Sequence, residues 1–427
     1  MRTLDDWLRA QQQVHLRSID LGLERVGVVA AAMGLLPVPY PTVLVGGTNG
    51  KGSVVAWLTE FAAAAGLTTC SFTSPHLRRY TERIQCDRKP VDAARLIRAF
   101  ERIEAARGDT TLTFFEYNTL AALDIFAAAR PDLAVIEVGL GGRLDATNLI
   151  DADVAVLVSV GLDHCEWLGD TVEAIGHEKA GIFRRNQPVV LGTADMPSSV
   201  RRAIETLDAD ARWPESDYSF DLDRSEAPGH WSWVGRRWRF DSLPPPALAG
   251  RIQRSNAATA LAALEALSET RLPALEQRLD ANVAAQALGT AVLQGRFQIV
   301  AGEPAWILDV AHNPAAARLL ARELRDRQNV GATLAVCAML TDKDVEGIVA
   351  ALEPVVDRWI LAGIDDARGL SATDLRARLP GALPVISICP DVPAACETAR
   401  RLAQPADRIV VFGSFHTVGP ALDWLRL

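Results

Sequence analysis

Residues 42–53 read TVLVGGTNGKGS: a short apolar run, then a glycine-rich loop with a lysine, followed by the alanine-rich stretch Val54–Ala65. The apolar run predicts a buried parallel strand, and the alanine-rich stretch predicts a helix. Glycines allow successive backbone N–H groups to turn onto phosphate oxygens, and the helix N-terminus adds partial positive charge. Lys51 is placed to reach the β- and γ-phosphates of a nucleotide, while Thr48 and Ser53 offer hydroxyl groups.

The spacing of this loop differs from the common G-x-x-x-x-G-K-[ST] phosphate loop, because Gly52 stands between Lys51 and Ser53. A glycine-rich turn that binds no nucleotide is the alternative interpretation. The combination of strand, loop, lysine and helix favours a nucleotide site. The loop alone does not indicate which reaction the nucleotide serves.

Short apolar runs followed by glycine-rich turns and helical stretches recur along the chain. This alternation predicts a doubly wound α/β sheet, with ligands at the carboxyl ends of its strands. The first series of runs is Thr42–Val45, Leu133–Val138, Val154–Val160 and Val189–Leu191. The second series, which starts near Phe297, is Trp306–Val310, Leu334–Met339, Trp359–Ala362, Val385–Ile388 and Ile409–Phe412. We predict two α/β domains: a P-loop domain with a mostly parallel sheet over residues 1–294, and a smaller Rossmann-like α/β domain over residues 295–427.

Residues 212–246 differ from this pattern. Trp213, Trp231, Trp233 and Trp238 alternate with polar residues, and the segment ends in three prolines. Such alternation predicts a small antiparallel β appendage on the first domain. A nucleic-acid platform is the less favoured alternative.

The composition limits the classes of function. The chain has 427 residues and a net charge of −9, which argues against a general nucleic-acid or membrane binder. Its six cysteines are scattered without a CxxC pair. They therefore indicate reduced thiols in a cytosolic protein, and neither a disulfide framework nor a zinc site. Because no apolar run is long enough to span a bilayer, we expect a cytoplasmic protein without a membrane segment.

Two further motifs follow predicted strands at the edge where the phosphate loop begins. Glu137 ends its strand before a glycine turn, where a carboxylate can hold Mg²⁺ directly or through water. A strand-end glutamate without a metal is an equally open interpretation. Asp163-His164 closes the next strand, and imidazole is an unusual Mg²⁺ ligand, so a structural histidine is the commoner explanation. His177-Glu178-Lys179 is not an HExxH zinc motif, because residue 181 is glycine.

The second domain offers one comparable motif. Asp309 follows a predicted strand and has the chemistry to bind a ribose or to orient an amine, while Asn313-Pro314 can simply start a helix. Residues 341–344 (TDKD) contain the residues of a guanine-reading T-K-x-D motif in the wrong order. This weighs against a GTPase switch.

The phosphate loop with its additional glycine resembles that of the folylpolyglutamate synthases, within the Mur ligase superfamily. Further matches occur in family order along nearly the whole chain. They are residues 19–26 (IDLGLERV), 73–77 (TSPHL), 81–84 (TERI), 113–116 (TFFE), 137–148 (EVGLGGRLDATN), 177–182 (HEKAGI), 295–298 (GRFQ), 309–314 (DVAHNP) and 413–416 (GSFH). The resemblance implies a Mur-ligase-type ATPase domain over residues 1–294 and a glutamate-ligase domain over residues 295–427.

The resemblance also implies residue roles. ATP would be bound by Thr48, Asn49, Gly50, Lys51, Gly52, Ser53, Asn256, Arg296 and Asp309. Mg²⁺, at two sites, would be bound by Ser74, Glu137 and His164, so Ser74 rather than Ser53 is the expected serine ligand. Lys179 matches a lysine that is carbamylated in family members; a free ammonium would repel Mg²⁺, whereas its carbamate is anionic. The predicted catalytic residues are Lys51, Lys179 and His312.

Three segments resemble those that enclose the pterin in bifunctional bacterial members, which act as both dihydrofolate synthase and folylpolyglutamate synthase. The predicted pterin or folate contacts are Ile19, Asp20, Leu21, Thr113, Phe114, Phe115, Glu116, Leu144, Asp145 and Ala146. The resemblance implies that ATP activates dihydropteroate or a reduced folate as an acyl phosphate, which then reacts with L-glutamate. It also implies a monomer.

Two other functions are consistent with parts of the sequence. A Mur-type peptidoglycan ligase shares this chemistry, but it usually carries another N-terminal domain for a UDP-sugar, and the loop at Gly46 leaves little room for one. A nucleotide-binding switch is the alternative from a different class. It is disfavoured because the residues of the T-K-x-D motif stand in the wrong order, and because the match to the ligase family runs through both domains.

Overall fold

The computed structural model describes residues 2–15, 19–222, 229–327 and 329–427. The chain forms two compact units. The first comprises Met1–His76, Tyr80–Ala247 and Ile252–Ala291; the second comprises Leu77–Arg79, Leu248–Arg251 and Val292–Leu427. Among the described residues, no helix combines the length and apolar character that a membrane crossing needs.

The described residues of the first unit form eleven α-helices and eleven strands. Its helices are α1 (Leu4–Val14), α2 (Glu24–Ala32), α3 (Lys51–Ala64), α4 (Ala93–Arg107), α5 (Phe114–Ala129), α6 (Cys165–Leu168), α7 (Val172–Ala180), α8 (Ser198–Leu207), α9 (Ile252–Thr270), α10 (Leu275–Arg278) and α11 (Ala281–Thr290). Its strands are β1 (Thr42–Gly46), β2 (Thr69–Phe72), β3 (Ile84–Cys86), β4 (Lys89–Pro90), β5 (Leu133–Glu137), β6 (Val154–Leu157), β7 (Pro188–Leu191), β8 (Asp210–Arg212), β9 (Ser219–Leu222), β10 (Trp231–Val234) and β11 (Arg239–Leu243). Two short 3-10 helices, Tyr80–Arg83 and Ala146–Leu149, complete these elements.

Eight strands of the first unit form one sheet in the order β4-β3-β2-β5-β1-β6-β7-β8. The six strands from β2 to β8 in this order are parallel, and β3 and β4 add an antiparallel edge. Every residue of β1, β5 and β6 is buried, as expected for strands covered by helices on both faces. The expected mixed α/β fold with a mostly parallel sheet is confirmed.

Strand β6 is shorter than the sequence predicts. The apolar run Val154–Val160 suggested one continuous strand, but β6 ends at Leu157. Residues 158–161 leave the sheet and pair with the glycine-rich loop after β1 through hydrogen bonds of Ser159 and Gly161. The apolar run is longer than the strand because residues 158–161 pack against the loop.

A separate antiparallel sheet, in the order β11-β10-β9, lies within the tryptophan-containing stretch. Trp231 and Trp233 of β10 are fully buried, whereas Ser232 and Val234 are partly exposed. This is the alternation of a strand with one covered face. Residues 223–228 of the predicted appendage lie outside the described residues.

Glu265 of α9 joins this small sheet to the rest of the first unit. Its carboxylate is 1% exposed and accepts a hydrogen bond from Arg212 Nη1 at 3.0 Å. It also accepts the backbone N–H groups of Arg236, Arg237 and Trp238, in the turn between β10 and β11, at 3.1, 2.8 and 2.7 Å. One buried side chain thus accepts from three backbone donors and from a buried guanidinium, which also pairs with Glu269.

Replacing Glu265 with alanine is expected to lower the free energy of unfolding by about 3–5 kcal/mol, because it leaves buried donors without an acceptor. Urea denaturation followed by tryptophan fluorescence measures this loss. Glu276→Ala is the matched control: Glu276 pairs with Arg237 with both side chains nearly half exposed, so the expected loss is below about 1 kcal/mol. Equal, small losses in both variants would contradict the structural role of Glu265.

In the part of the second unit that the structure describes, the chain forms five α-helices and six strands. The helices are α12 (Pro314–Asp326), α13 (Val345–Leu352), α14 (Ala372–Ala377), α15 (Val392–Leu402) and α16 (Phe415–Leu425), with a 3-10 helix at Glu353–Val355. The strands are β12 (Gln298–Val300), β13 (Ala305–Asp309), β14 (Thr333–Cys337), β15 (Arg358–Ala362), β16 (Val385–Cys389) and β17 (Arg408–Phe412). They form one sheet in the order β12-β13-β17-β14-β15-β16, parallel except for β12. The predicted Rossmann-like α/β character of this part is confirmed.

Candidate functional site

The glycine-rich loop connects β1 to α3, and Lys51 is the first residue of that helix. Gly50 precedes it with a φ of 88°, in the left-handed region. A Cβ atom at residue 50 would lie 2.8 Å from Val158 Cγ1 and 3.2 Å from Asn256 Oδ1. Both the backbone conformation and the close neighbours therefore require glycine at this position.

The segment after β6 fixes the shape of the loop. Thr48 N donates to Ser159 O at 2.8 Å, and Asn49 N donates to Ser159 Oγ at 3.0 Å. The hydroxyl of Thr48 donates to Gly161 O at 3.1 Å and accepts from Gly161 N at 3.0 Å. The loop is thus held in one conformation by hydrogen bonds from its neighbouring strand end.

Two lysines meet at one carbonyl of the loop. Lys51 Nζ and Lys179 Nζ each donate to Gly47 O, both at 3.0 Å. Lys51 reaches it from the start of α3, and Lys179 reaches it from α7. The structure therefore brings together two of the three predicted catalytic residues.

Lys179 has an unusual environment for a lysine. Its side chain is buried, with 5% of the residue exposed. Burial, and to a smaller extent the charge of Lys51, lower the pKa of Lys179 to about 7 against the opposing effects of Asp163 and Asp145. A lysine of this kind is partly neutral, and hence nucleophilic, near neutral pH.

The glycine turn after β5 packs against the end of α7 beside this lysine. A Cβ atom at Gly142 would lie 2.7 Å from Glu178 O and 2.8 Å from Lys179 O. Arg143 N donates to Glu178 O at 2.8 Å, and the Arg143 guanidinium forms an ion pair with the Glu178 carboxylate at 2.9 Å. Close backbone approach at Gly142 therefore helps to position Lys179.

The predicted metal ligands follow neighbouring strands of the sheet. Glu137 ends β5 and pairs with Val45 of β1, and Ser74 follows β2, the other neighbour of β5. Glu137 Oε2 accepts a hydrogen bond from Ser74 N at 3.0 Å. His164 follows β6, on the far side of β1, and has a φ of 51°. All three positions thus lie at the carboxyl edge of the sheet.

The chemistry of this set suits a divalent cation. Glu137 is a carboxylate only 5% exposed, and Ser74 adds a hydroxyl oxygen, which are donors that Mg²⁺ prefers. No three histidine, cysteine or acidic side chains in the described ranges converge on a possible cation site. A cation site here therefore depends on a serine hydroxyl, on phosphate oxygens or on water in addition to Glu137 and His164.

Ser53 lies at the buried contact between α3 and α9. It is 2% exposed, and its hydroxyl accepts a hydrogen bond from Gln253 Nε2 at 3.4 Å. The carboxamide oxygen of Gln253 also accepts from Trp57 Nε1 at 3.2 Å and from Asn256 Nδ2 at 3.3 Å. Gln253 thus links α3 to α9 and places Asn256 beside Gly50.

The predicted pterin segments meet at Arg25 of α2. Its guanidinium pairs with Asp20 Oδ2 at 2.9 Å and with Glu116 Oε1 at 3.2 Å. Glu116 is buried, and its other oxygen accepts from Thr113 N at 2.7 Å, which completes a capping box at the start of α5. The segments around Ile19–Leu21 and Thr113–Glu116 are therefore joined by one ion-paired network.

The third predicted segment lies beside the first. Gly22 N donates to Leu144 O at 3.2 Å. Asp145 is buried and accepts from Leu140 N at 2.8 Å and from Thr147 N at 3.0 Å. Burial raises the pKa of Asp145, and these hydrogen bonds oppose the shift. Its side chain therefore caps the 3-10 helix that begins at Ala146, and any direct contact with a substrate remains a prediction.

The aromatic residues at the start of α5 have different neighbours. The guanidinium carbon of Arg83 lies 5.6 Å from the centre of the Phe114 ring. A Cβ atom at Gly139 would lie 2.4 Å from Phe115 Cζ, so the Phe115 ring covers the backbone just after β5. Phe115 thus lies next to the turn that follows Glu137, a predicted metal ligand.

The candidate residues of the second unit surround the start of α12. Asp309 accepts from Phe297 N and Ala311 N, both at 2.8 Å, and burial raises its pKa while Arg296 opposes that rise. His312 Nδ1 lies 2.8 Å from Val310 O, which fixes a tautomer with the proton on Nδ1. The Arg296 guanidinium carbon lies 5.1 Å from the centre of the Phe415 ring.

Sequence reasoning did not single out Arg25, Ser159 or Gln253. Arg25 is part of the quoted run 19–26, and an arginine among predicted substrate segments was the available signal. Ser159 and Gln253 act only through neighbours that are distant in sequence, so no local pattern marks them.

Two domain models match the chain, and both describe parts of one class of enzyme, the Mur ligases. The Mur ligase middle domain matches residues 45–221, which include the phosphate loop, Glu137 and Lys179. The glutamate ligase domain of Mur ligases matches residues 295–415 in the second unit.

Individual proteins match over almost the whole length. Dihydrofolate synthase/folylpolyglutamate synthase of Escherichia coli K12 is 40% identical over 98% of this chain and 95% of its own. A solved structure of E. coli FolC in complex with DHPP and ADP has a TM-score of 0.92 and 40% identity, covering 100% of this chain and 98% of that one. A bifunctional folylpolyglutamate synthase/dihydrofolate synthase with Mn, AMPPNP and L-glutamate bound has a TM-score of 0.89 and 41% identity, covering 100% and 99%. This chain belongs to the dihydrofolate synthase/folylpolyglutamate synthase family of Mur ligases.

Proposed function

We propose that this chain is an ATP-dependent ligase that adds L-glutamate to dihydropteroate and to reduced folates. The observation that carries the proposal is the meeting of Lys51 and Lys179 at Gly47 O, in a chain 40% identical to a bifunctional relative. ATP and a divalent cation are the cofactors that the nucleotide and Mn complexes of the relatives support.

The first step makes the acyl phosphate. A carboxylate oxygen of the folate substrate attacks the γ-phosphorus of ATP, and the bond to the bridging oxygen breaks to release ADP. The N–H groups at the start of α3 and the ammonium of Lys51 stabilise charge on the transferring phosphoryl group. Glu137, Ser74 and His164 would hold Mg²⁺, which would supply further neutralisation of that charge.

The second step forms the amide bond. The amine nitrogen of L-glutamate attacks the acyl carbon, phosphate leaves, and the nitrogen loses a proton. The protein chiefly positions two anionic substrates that would otherwise repel each other. In the second unit, we propose that Arg296 and Asp309 contact ATP, and that His312 acts near the reacting groups.

The pterin site is proposed at the network of Asp20, Arg25 and Glu116. Its support is the Arg25 guanidinium, which joins the segments around Ile19–Leu21 and Thr113–Glu116. Leu144, in the third predicted segment, accepts a hydrogen bond from Gly22 beside the first. Ser53 is proposed as a structural residue, because its hydroxyl already accepts a hydrogen bond from Gln253. The proposal further includes a monomer acting in the cytoplasm, as the family resemblance suggests.

The decisive experiment measures ADP release with three acceptors: dihydropteroate, tetrahydrofolate and a UDP-muramoyl peptide, each with and without glutamate. We expect glutamate-dependent ADP release with the first two acceptors and none with the third. Release with only one folate acceptor would reduce the proposal to a single activity. ADP release with only the UDP-muramoyl peptide would show a peptidoglycan ligase instead of the proposed enzyme. ATP hydrolysis that does not depend on any acceptor would favour a nucleotide switch.

A further inference from the structure

Two cysteines face each other across the antiparallel edge of the large sheet. Cys70 of β2 and Cys86 of β3 are paired in register, and their Sγ atoms lie 2.6 Å apart. Neither thiol has a role in the ligase reaction proposed above. Both are reduced in the structure, as are the other four cysteines.

The register of the strands permits a covalent bond at this position. Asp87 N donates to Thr69 O at 2.7 Å, and Thr73 N donates to Arg83 O at 2.8 Å, which marks hydrogen-bonded pairs on either side. Because such pairs alternate along antiparallel strands, Cys70 and Cys86 occupy a non-hydrogen-bonded pair, with Cα atoms about 4.5 Å apart. This separation lies within the range of disulfides, whose sulfurs are about 2.05 Å apart.

We propose that Cys70 and Cys86 form a reversible dithiol/disulfide pair that is oxidised by a low-molecular-weight disulfide such as glutathione disulfide. The thiolate of Cys86 attacks one sulfur of the small disulfide, forms a mixed disulfide and releases one small thiol. Cys70 then loses its proton, attacks Cys86 Sγ and releases the second small thiol. The protein loses two hydrogens, and the small disulfide is reduced to two thiols.

The two cysteines differ in access and charge, which assigns their order of reaction. Cys86 is partly exposed, whereas Cys70 is 2% exposed. A hydrogen bond from Cys70 and the nearby charge of Arg95 lower the pKa of Cys86 against the effects of burial and of Asp87. The hydrogen bond to Cys86, burial and Asp87 raise the pKa of Cys70, while Arg95 opposes them. Cys86 is thus the attacking thiol and Cys70 the resolving one.

The bond would close a loop that matters to the proposed active site. The residues between Cys70 and Cys86 include Ser74, the proposed metal ligand, and Leu77–Arg79, which belong to the second unit. Oxidation is therefore expected to affect the metal site that includes Ser74, and this expectation rests on the proposed function. The cysteine chemistry itself does not rest on that function, so thiol mapping can fail or succeed independently of any ligase assay.

The test is mass spectrometric mapping of the full-length protein after treatment with glutathione disulfide, raised until the exposed Cys165 is fully modified. We expect one cross-linked pair of peptides, containing Cys70 and Cys86 and lighter by two hydrogens, which a reductant separates. In Cys70→Ala, the glutathione adduct should accumulate on Cys86; in Cys86→Ala, residue 70 should stay unmodified. Modification of Cys165 without the 70–86 cross-link would overturn the proposal, and so would an adduct on Cys70 in Cys86→Ala.

Discussion

Replacing Lys51 with alanine is expected to reduce glutamate-dependent ADP release by about a thousandfold or more, through kcat rather than through folding. Lys51 is the first residue of α3, and its ammonium now donates to Gly47 O at 3.0 Å, within the loop itself. A bound triphosphate offers a stronger, anionic acceptor for the same group. Removing the ammonium takes away a cation on which phosphoryl transfer depends, and little protein covalent chemistry can compensate.

Steady-state ADP release with dihydropteroate and tetrahydrofolate measures this effect, and circular dichroism checks that the variant is folded. Lys89→Ala is a matched control, since Lys89 is an exposed lysine on β4, separated from β1 by three strands of the sheet. It removes the same charge and should leave turnover near that of the unaltered protein. Near-normal turnover in the Lys51 variant would contradict the phosphate-binding role of the loop.

Much of the sheet could be predicted from the sequence because its parallel strands are buried on both faces. Strands β1, β5 and β7 are buried along their whole length and contain the apolar runs Val43–Val45, Leu133–Ile136 and Val189–Leu191, which are visible in the sequence without any partner. Strand β2 (Thr69–Phe72) was not predicted, although all its residues are buried. Its sequence TCSF has two polar residues, and its burial depends on elements distant in sequence: the neighbouring strands β3 and β5, and the helices α3 and α5 that contact it.

In the candidate site, the identities of several residues could be predicted from the sequence, but their contacts could not. The loop, Glu137 and Lys179 belong to local motifs, so the sequence identifies them as candidate site residues. Their geometry was not predictable, because the contact of Lys179 with Gly47 spans 132 positions of the chain. The same holds for Glu265, whose acceptor role depends on a turn of the small sheet, and for Arg25, whose two partners come from different segments.

Carbon dioxide is expected to activate this enzyme through Lys179. Only a neutral amine reacts with carbon dioxide, and a pKa of about 7 leaves about half of Lys179 neutral at pH 7. An ordinary lysine, with a pKa of 10.5, is neutral in only about one molecule in three thousand at that pH. Carbamylation replaces a buried cation beside Lys51 by an anion, so it removes the repulsion between the two groups.

We therefore expect turnover to fall in carbon-dioxide-depleted buffer and to recover on addition of bicarbonate. Lys179→Met should lose activity by about 10- to 100-fold, as for the loss of a group that supports a metal ligand, and should not respond to bicarbonate. Lys89→Met serves as control and should keep both the activity and the response. ¹³C NMR with labelled bicarbonate should show one carbamate signal that is absent from the Lys179 variant. A fully active protein without that signal would exclude carbamylation.

The stability of the carbon-dioxide-free protein gives a second, independent measurement of the same lysine. Its folded-state pKa is lowered to about 7 from an ordinary value of 10.5, so between these values the unfolded chain binds the additional proton. The free energy of unfolding should consequently rise with pH across that window, and the cost of burying the charge should be present in full below pH 7. Lys179→Met cannot bind this proton, so its unfolding free energy should lack this component of the slope. Identical slopes in the two proteins would mean that Lys179 keeps an ordinary pKa, and carbamylation near neutral pH would lose its physical basis.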